Sequence, residues 1–282
     1  MRRILFYSLI AATFAAGLLL YNNHEQIFGA VQQYVENGEL VTLEAKFTPE
    51  QIMEIHRKEL LVTPQHSFRN SGIKFQPYLL MEVKYTQPDK KSREGVLFWS
   101  LVDGEMILDA DTWEKSHGFE DAINVEASRT DFKLMNALAK NKGSANIDQL
   151  QKEFHLEKDV LQSWINSASA KHLIIQKGND LQLHFQDPKI LVQPETKIAS
   201  SLVTKSYDYA LRSPKKYSKK QVEKLTKAAF GDDFNIRSIS EVFLPVYSIE
   251  VLNPDGSVRT SDWNARNGQI IQPKYLTSAQ RA

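Results

Sequence analysis

Residue types that could carry chemistry are present in this chain but are not gathered in any catalytic pattern. Of the seven histidines, His24, His56, His66, His117, His155, His172 and His184, no two are spaced i, i+4 around a glutamate, the pattern of a helical zinc-protease site. There is no cysteine, which excludes thiol nucleophiles, disulfides, thiolate zinc sites and a lipoprotein anchor. A serine nucleophile elbow and a glycine-rich phosphate loop are also missing from the sequence. Asp103, Glu105, Asp109, Asp111 and Glu114 supply the oxygen ligands that calcium takes, but not in the register of a calcium loop. They read instead as turns and a helix cap at 111–114. The sequence therefore assigns no catalytic residue, no metal ligand and no cofactor.

Two surface clusters are candidates for binding. Arg212, Lys215, Lys216, Lys219, Lys220 and Lys224, with Lys227, face only Glu223 over one short stretch. That density forms either a solvated helix rim or a site for an anionic partner. The second cluster, Gln162, Ser163 and Asn166, lies on one face of an expected helix. The net charge of the whole chain is +1, so any electrostatic recognition must be local.

The elements that would position these residues include a repeated unit. Thr48-Pro49-Glu50-Gln51 and Ser218-Lys219-Lys220-Gln221 are both helix starts of the capping-box kind, and strands rich in branched and aromatic residues follow each. Phe75-Gln76-Pro77 matches Phe243-Leu244-Pro245, Glu82-Val83 matches Glu250-Val251, and Pro88-Asp89 matches Pro254-Asp255. Trp99 stands to Gly104 as Trp263 stands to Gly268. Landmarks in the same order predict a duplication, each copy a helix on a small antiparallel meander. The copies resemble the PepSY-type module, best carried by residues 263–271. That resemblance implies an exported or anchored protein and, often, an inhibitory or chaperoning partner of secreted peptidases. The four tryptophans, Trp99, Trp113, Trp164 and Trp263, read as core anchors.

Between the copies the grammar changes. Helices are expected over 130–141, from Asn146, and over 157–171, then a hairpin whose tip is Lys177-Gly178-Asn179-Asp180. This order resembles a winged helix-turn-helix domain, with Gln162, Ser163 and Asn166 on its third helix. Residues 128–187 contain eight basic and seven acidic residues, too balanced for strong phosphate binding. Protein contact is thus favoured over nucleic acid.

At the amino terminus, residues 4–21 form an uncharged, largely apolar run preceded by Arg2 and Arg3. No Lys or Arg follows until Lys46. Such a run reaches about 27 Å as a helix. It reads as a transmembrane signal anchor with the amino terminus cytoplasmic, the alternative being a cleaved signal peptide. The expected fold class is α+β: an anchor (1–21), a linker helix (22–46), repeat unit A (47–118), a winged helix (128–187), a linker (188–216), repeat unit B (217–275) and a tail (276–282). The layout also resembles membrane-anchored proteins of chlamydia-type bacteria, which brings no activity with it. The expected function is non-catalytic binding or scaffolding of an envelope protein partner. The alternatives are a membrane-tethered DNA-binding transcriptional regulator and an envelope hydrolase or peptidase-modulating protein.

Overall fold

The computed structural model describes residues 39–87, 89–199, 202–206 and 211–271. Chain contacts separate Leu40–Lys205 with Ala210–Ala282 from Met1–Glu39 with Ser206–Tyr209, and nearly all of the second unit lies outside the described residues. In order, the elements are β1 (Glu39–Leu43), α1 (Pro49–Ile55), α2 (Arg57–Leu60), β2 (Ser67–Thr86), β3 (Ser92–Ser100), β4 (Met106–Asp109) and β5 (Glu114–Lys115). Next come α3 (Phe119–Asn124), α4 (Arg129–Lys140), β6 (Ser144–Asn146), α5 (Ile147–Phe154), α6 (Lys158–Ala170), β7 (Ile174–Lys177) and β8 (Asp180–Leu183). The chain continues through β9 (Leu202–Ser206), β10 (Leu211–Arg212), α7 (Lys219–Phe230), β11 (Asn235–Leu252) and β12 (Val258–Asn264).

Both repeat helices start as their sequences dictate. The Thr48 hydroxyl accepts the Gln51 N–H while the Gln51 side chain accepts the Thr48 N–H, and Ser218 with Gln221 does the same. Each box satisfies two donors that the first helical turn would otherwise leave bare.

The organising feature is the long antiparallel pair β2 and β11. Gln76 pairs with Leu244, Phe75 with Pro245 and Pro77 with Phe243, so matching positions of the two copies face each other about a local two-fold. On the outer side of each long strand lies that copy's hairpin partner, β3 on β2 and β12 on β11. Trp99 pairs with Leu79 and Trp263 with Tyr247, again matching positions.

The helices do not sit where the repeat alone suggests. Ile52 and Leu60 of the first copy are buried with Ile249, Val251 and Trp263 of the second. Val222 and Leu225 of the second are buried with Met81, Leu97 and Trp99 of the first. The short strands before the helices follow the same exchange, β1 parallel to β11 and β10 parallel to β2. At each signature turn the exchange is locked: Ala265 O accepts the N–H groups of Lys46 and Phe47, and Leu101 O those of Lys216 and Tyr217. Gly104 and Gly268 both have positive φ. A Cβ at Gly104 would lie 2.8 Å from the Tyr217 ring, and one at Gly268 would lie 3.5 Å from the Phe47 ring.

Residues 129–183 build three helices and a three-stranded sheet in the order β6-β8-β7. Phe132, Leu134 and Met135 of α4 share the core of Trp99, Phe119, Val222 and Leu225. Arg129 donates to Ala228 O and Ala229 O, which binds α4 to the end of α7.

Several expectations are corrected. Among the described residues the fold class is α+β and no helix is long and apolar enough to cross a membrane; the transmembrane helix expected at 4–21 lies outside the described residues. The end of the expected linker helix is strand β1, and the rest of it is likewise outside. A helix packed on its own meander is replaced by a helix packed on the other copy's, because the adjoining long strands bring each apolar helix face over the neighbouring hairpin. The strands that follow the two helix starts are long and unbroken, Ser67–Thr86 and Asn235–Leu252, since the pairing of β11 with β2 spans the whole length of β11.

Candidate functional site

The two outer hairpin strands differ in what covers them. Along β3, the backbone groups that point away from β2 are met first by β4, then by residues 193–197 of the linker, which form a strap. Thr196 is 3% exposed and makes three contacts: its N–H donates to Val96 O at 2.7 Å, its hydroxyl accepts from Phe98 N–H at 2.9 Å, and the same hydroxyl donates to Ile107 O at 2.6 Å. The neighbouring Glu195 carboxylate accepts from Tyr85 OH at 2.7 Å, pairs with Arg93 at 3.1 Å and lies over Gly95. Burial, and then the Glu195 carboxylate, push the Tyr85 phenol up to about 12. Beyond Thr196, Lys197 N–H donates to Leu108 O and Lys197 O accepts from Ala110 N–H. The Asp109 carboxylate accepts from Thr112 N–H, from the Lys197 ammonium and from Asp111 N–H, which hold it down at about 2.

Among the described residues the matching edge of β12 is uncovered beyond Ile271. Ile271 N–H donates to Asp262 O and Asn264 N–H to Gln269 O, which gives the alternation: 258, 260 and 262 point their backbone groups outward. Through the tryptophan pair, Thr260 corresponds to Val96 and Asp262 to Phe98. Among the described residues nothing donates to Thr260 O or accepts from Asp262 N–H. Exposed apolar side chains stand around this end of the sheet: Leu252, Val258 and Ile270, with Val62 just past α2. Arg259 donates to Leu60 O at 2.6 Å and has no carboxylate partner among the described residues. The Asp262 side chain is already committed, to Lys74 at 2.5 Å and Ser248 at 2.7 Å.

The lysine cluster expected to bind an anion is largely neutralised within the protein. Lys215 pairs with Glu241 at 2.6 Å, Lys216 with Glu120 at 2.9 Å and Lys224 with Glu126, while Arg212 lies over the Phe243 ring at 5.2 Å. Lys219 and Lys220 occupy the first turn of α7, and Lys220 and Lys224 line an opening of about 130 Å³ against α3. On α6, Ser163 and Asn166 are exposed and Gln162 is half-buried, donating to Asn166 at 2.9 Å. These three stay together on one face.

The acidic cluster is a set of separate structural contacts. Asp111 holds the buried Arg266 at 2.5 Å, in a turn rather than at a helix start, and Glu114 pairs with Lys189. Glu105 accepts from the Ser116 hydroxyl and from the N–H groups of Gly118 and Glu120, and its burial raises its carboxyl above the usual range. Burial opposes ionisation of Asp103, yet its 2.5 Å contact with Lys115 keeps it below that range. Among the described residues no three His, Asp or Glu side chains are grouped to hold a metal ion.

Thr196, Arg259, Thr260 and Asp262 were not singled out by sequence reasoning. The one signal that leads to them is the tryptophan alignment, which places Thr260 opposite Val96. Compared with known proteins, the chain matches no family model, no curated protein and no solved structure. The winged-helix and PepSY resemblances thus rest on the sequence features that suggested them.

Proposed function

We propose that this protein is a non-catalytic binding or scaffolding protein that accepts an extended segment of another protein as an added antiparallel strand on β12. The observation that carries the reading is the contrast between matched edges: β3 is closed by the strap, and β12 offers the same outward groups to a partner. Added strands draw affinity from main-chain hydrogen bonds and specificity from alternate side chains. An exposed edge is otherwise a liability that proteins blunt with charge, proline or a covering segment. From the charge asymmetry around residues 4–21, the partner is sought among envelope proteins. The DNA-regulator reading has less support, since Gln162, Ser163 and Asn166 present an uncharged face and Gln162 is tied to Asn166.

A photo-crosslinking side chain at Val258, with a second at the matched Glu94 as control, tests this in living cells. Adducts are expected at 258 and not at 94. Thr260→Pro should abolish them, because the Thr260 N–H points outward and its loss removes no bond to β11. Equal labelling at both positions, or adducts indifferent to the proline, would sink the reading.

A further inference from the structure

The strap shows what chemistry this kind of edge takes. Its Thr196 hydroxyl bridges Phe98 N–H and Ile107 O, while its N–H reaches Val96 O. The second copy carries the corresponding three groups, Asp262 N–H, Ile271 O and Thr260 O, with Ile271 fixed beside Asp262 by its own N–H. A threonine or serine in an incoming strand meets all three, and an apolar residue of the same shape meets only one.

The residue before that threonine is specified as well. In the first copy Glu195 lies where a side chain at Gly95 would be, its Cγ 3.1 Å from that position, and Arg93 supplies the cation. In the second copy Gly95 is replaced by Arg259, and the hairpin is shorter: pairing ends at Leu252 with Val258, short of positions matching Tyr85 and Arg93. The cation has moved from the hairpin end to the strand itself. Among the described residues the Arg259 guanidinium is bound only to carbonyls, an arrangement that favours an incoming carboxylate.

We infer that the open edge of β12 selects an extended segment with an acidic residue followed by threonine or serine, the pattern of Glu195-Thr196. This rests on the strand-addition reading. The chain's own residues 272–282, QPKYLTSAQRA, contain no acid. A second copy keeps its Glu195-Thr196 pair on its own β3.

Fluorescence anisotropy of the full-length protein with a labelled VQPETK peptide, the sequence of residues 192–197, is the test. Binding should weaken roughly tenfold when the peptide's threonine becomes valine and survive when it becomes serine, as losing a buried hydrogen-bonded hydroxyl implies. Arg259→Glu should weaken it by a similar factor, and a peptide with lysine for glutamate should restore binding to that variant, which an unfolded variant does not do. Binding indifferent to both changes would overturn the acidic-threonine preference and leave strand addition standing. Failure of every peptide while crosslinks at 258 persist would overturn it too. Affinity that rises tenfold on deleting residues 272–282, or that falls as the protein dimerises, would assign the edge to the tail or to a second copy and likewise overturn it.

Discussion

The two copies share a register, a tryptophan, a glycine turn and an exchanged helix, yet among the described residues one outer strand is closed and the other open. In the first copy the chain passes the edge again after residues 129–183 and leaves Thr196 on it. In the second copy the described chain turns at Gly268 and follows β12 only as far as Ile271. Duplication thus reproduces the core, while the intervening segment covers the edge of β3 and, among the described residues, leaves that of β12 uncovered.

The shared core can be tested first, where the effects are largest. Trp99 and Trp263 are 0% and 1% exposed, and truncating either to alanine should cost about 3–5 kcal/mol in denaturant unfolding. A near-neutral Trp263→Ala would mean that the second copy lacks a core of its own and would break the equivalence.

The edges should then differ sharply. Thr196→Val removes a buried bridging hydroxyl and should cost about 1–3 kcal/mol. Thr260→Val, at the open matching edge, should stay within about 0.5 kcal/mol. Equal losses would show that β12 is covered as β3 is.

The signature turns grade the comparison more finely. Alanine at Gly104 or Gly268 is strained by roughly 1–2 kcal/mol because both hold positive φ. Gly104→Ala should be the worse of the two by thermal melting, since its methyl group meets Tyr217 at 2.8 Å where the other meets Phe47 at 3.5 Å.

The smallest effect is a pH dependence carried by Asp109 of the first copy. Asp109, held at about 2 against an ordinary 3.8, favours the folded state fully above 3.8, and that contribution is lost as pH falls toward 2. Melting temperature over this acid range should fall less steeply in Asp109→Asn than in the unaltered protein. Parallel curves would remove Asp109 as an anchor of the strap.

Local signals were legible in the sequence and distant ones were not. The Thr48 and Ser218 caps, the tryptophan and glycine spacing and the helices over 129–170 follow from chemistry within a few residues. The helix exchange was not legible, because Ile52 and Val222 are apolar whichever meander they cover. Strands β1 and β10 were missed because they are short and make their parallel pairings with the opposite copy. The lysine cluster looked unopposed because Glu120, Glu126 and Glu241 lie 96, 98 and 26 residues from their partners Lys216, Lys224 and Lys215. Thr196, between the charged residues Glu195 and Lys197, carries no local mark of burial.

The contrast between the edges rests on two amides at matched positions, Phe98 N–H held by the Thr196 hydroxyl and Asp262 N–H facing outward. Residue-resolved hydrogen exchange on the isolated protein compares them directly. Phe98 should exchange slowly, with the opening of the strap, and Asp262 at nearly the rate of an unprotected amide. Equal protection at the two positions would contradict an open edge on β12.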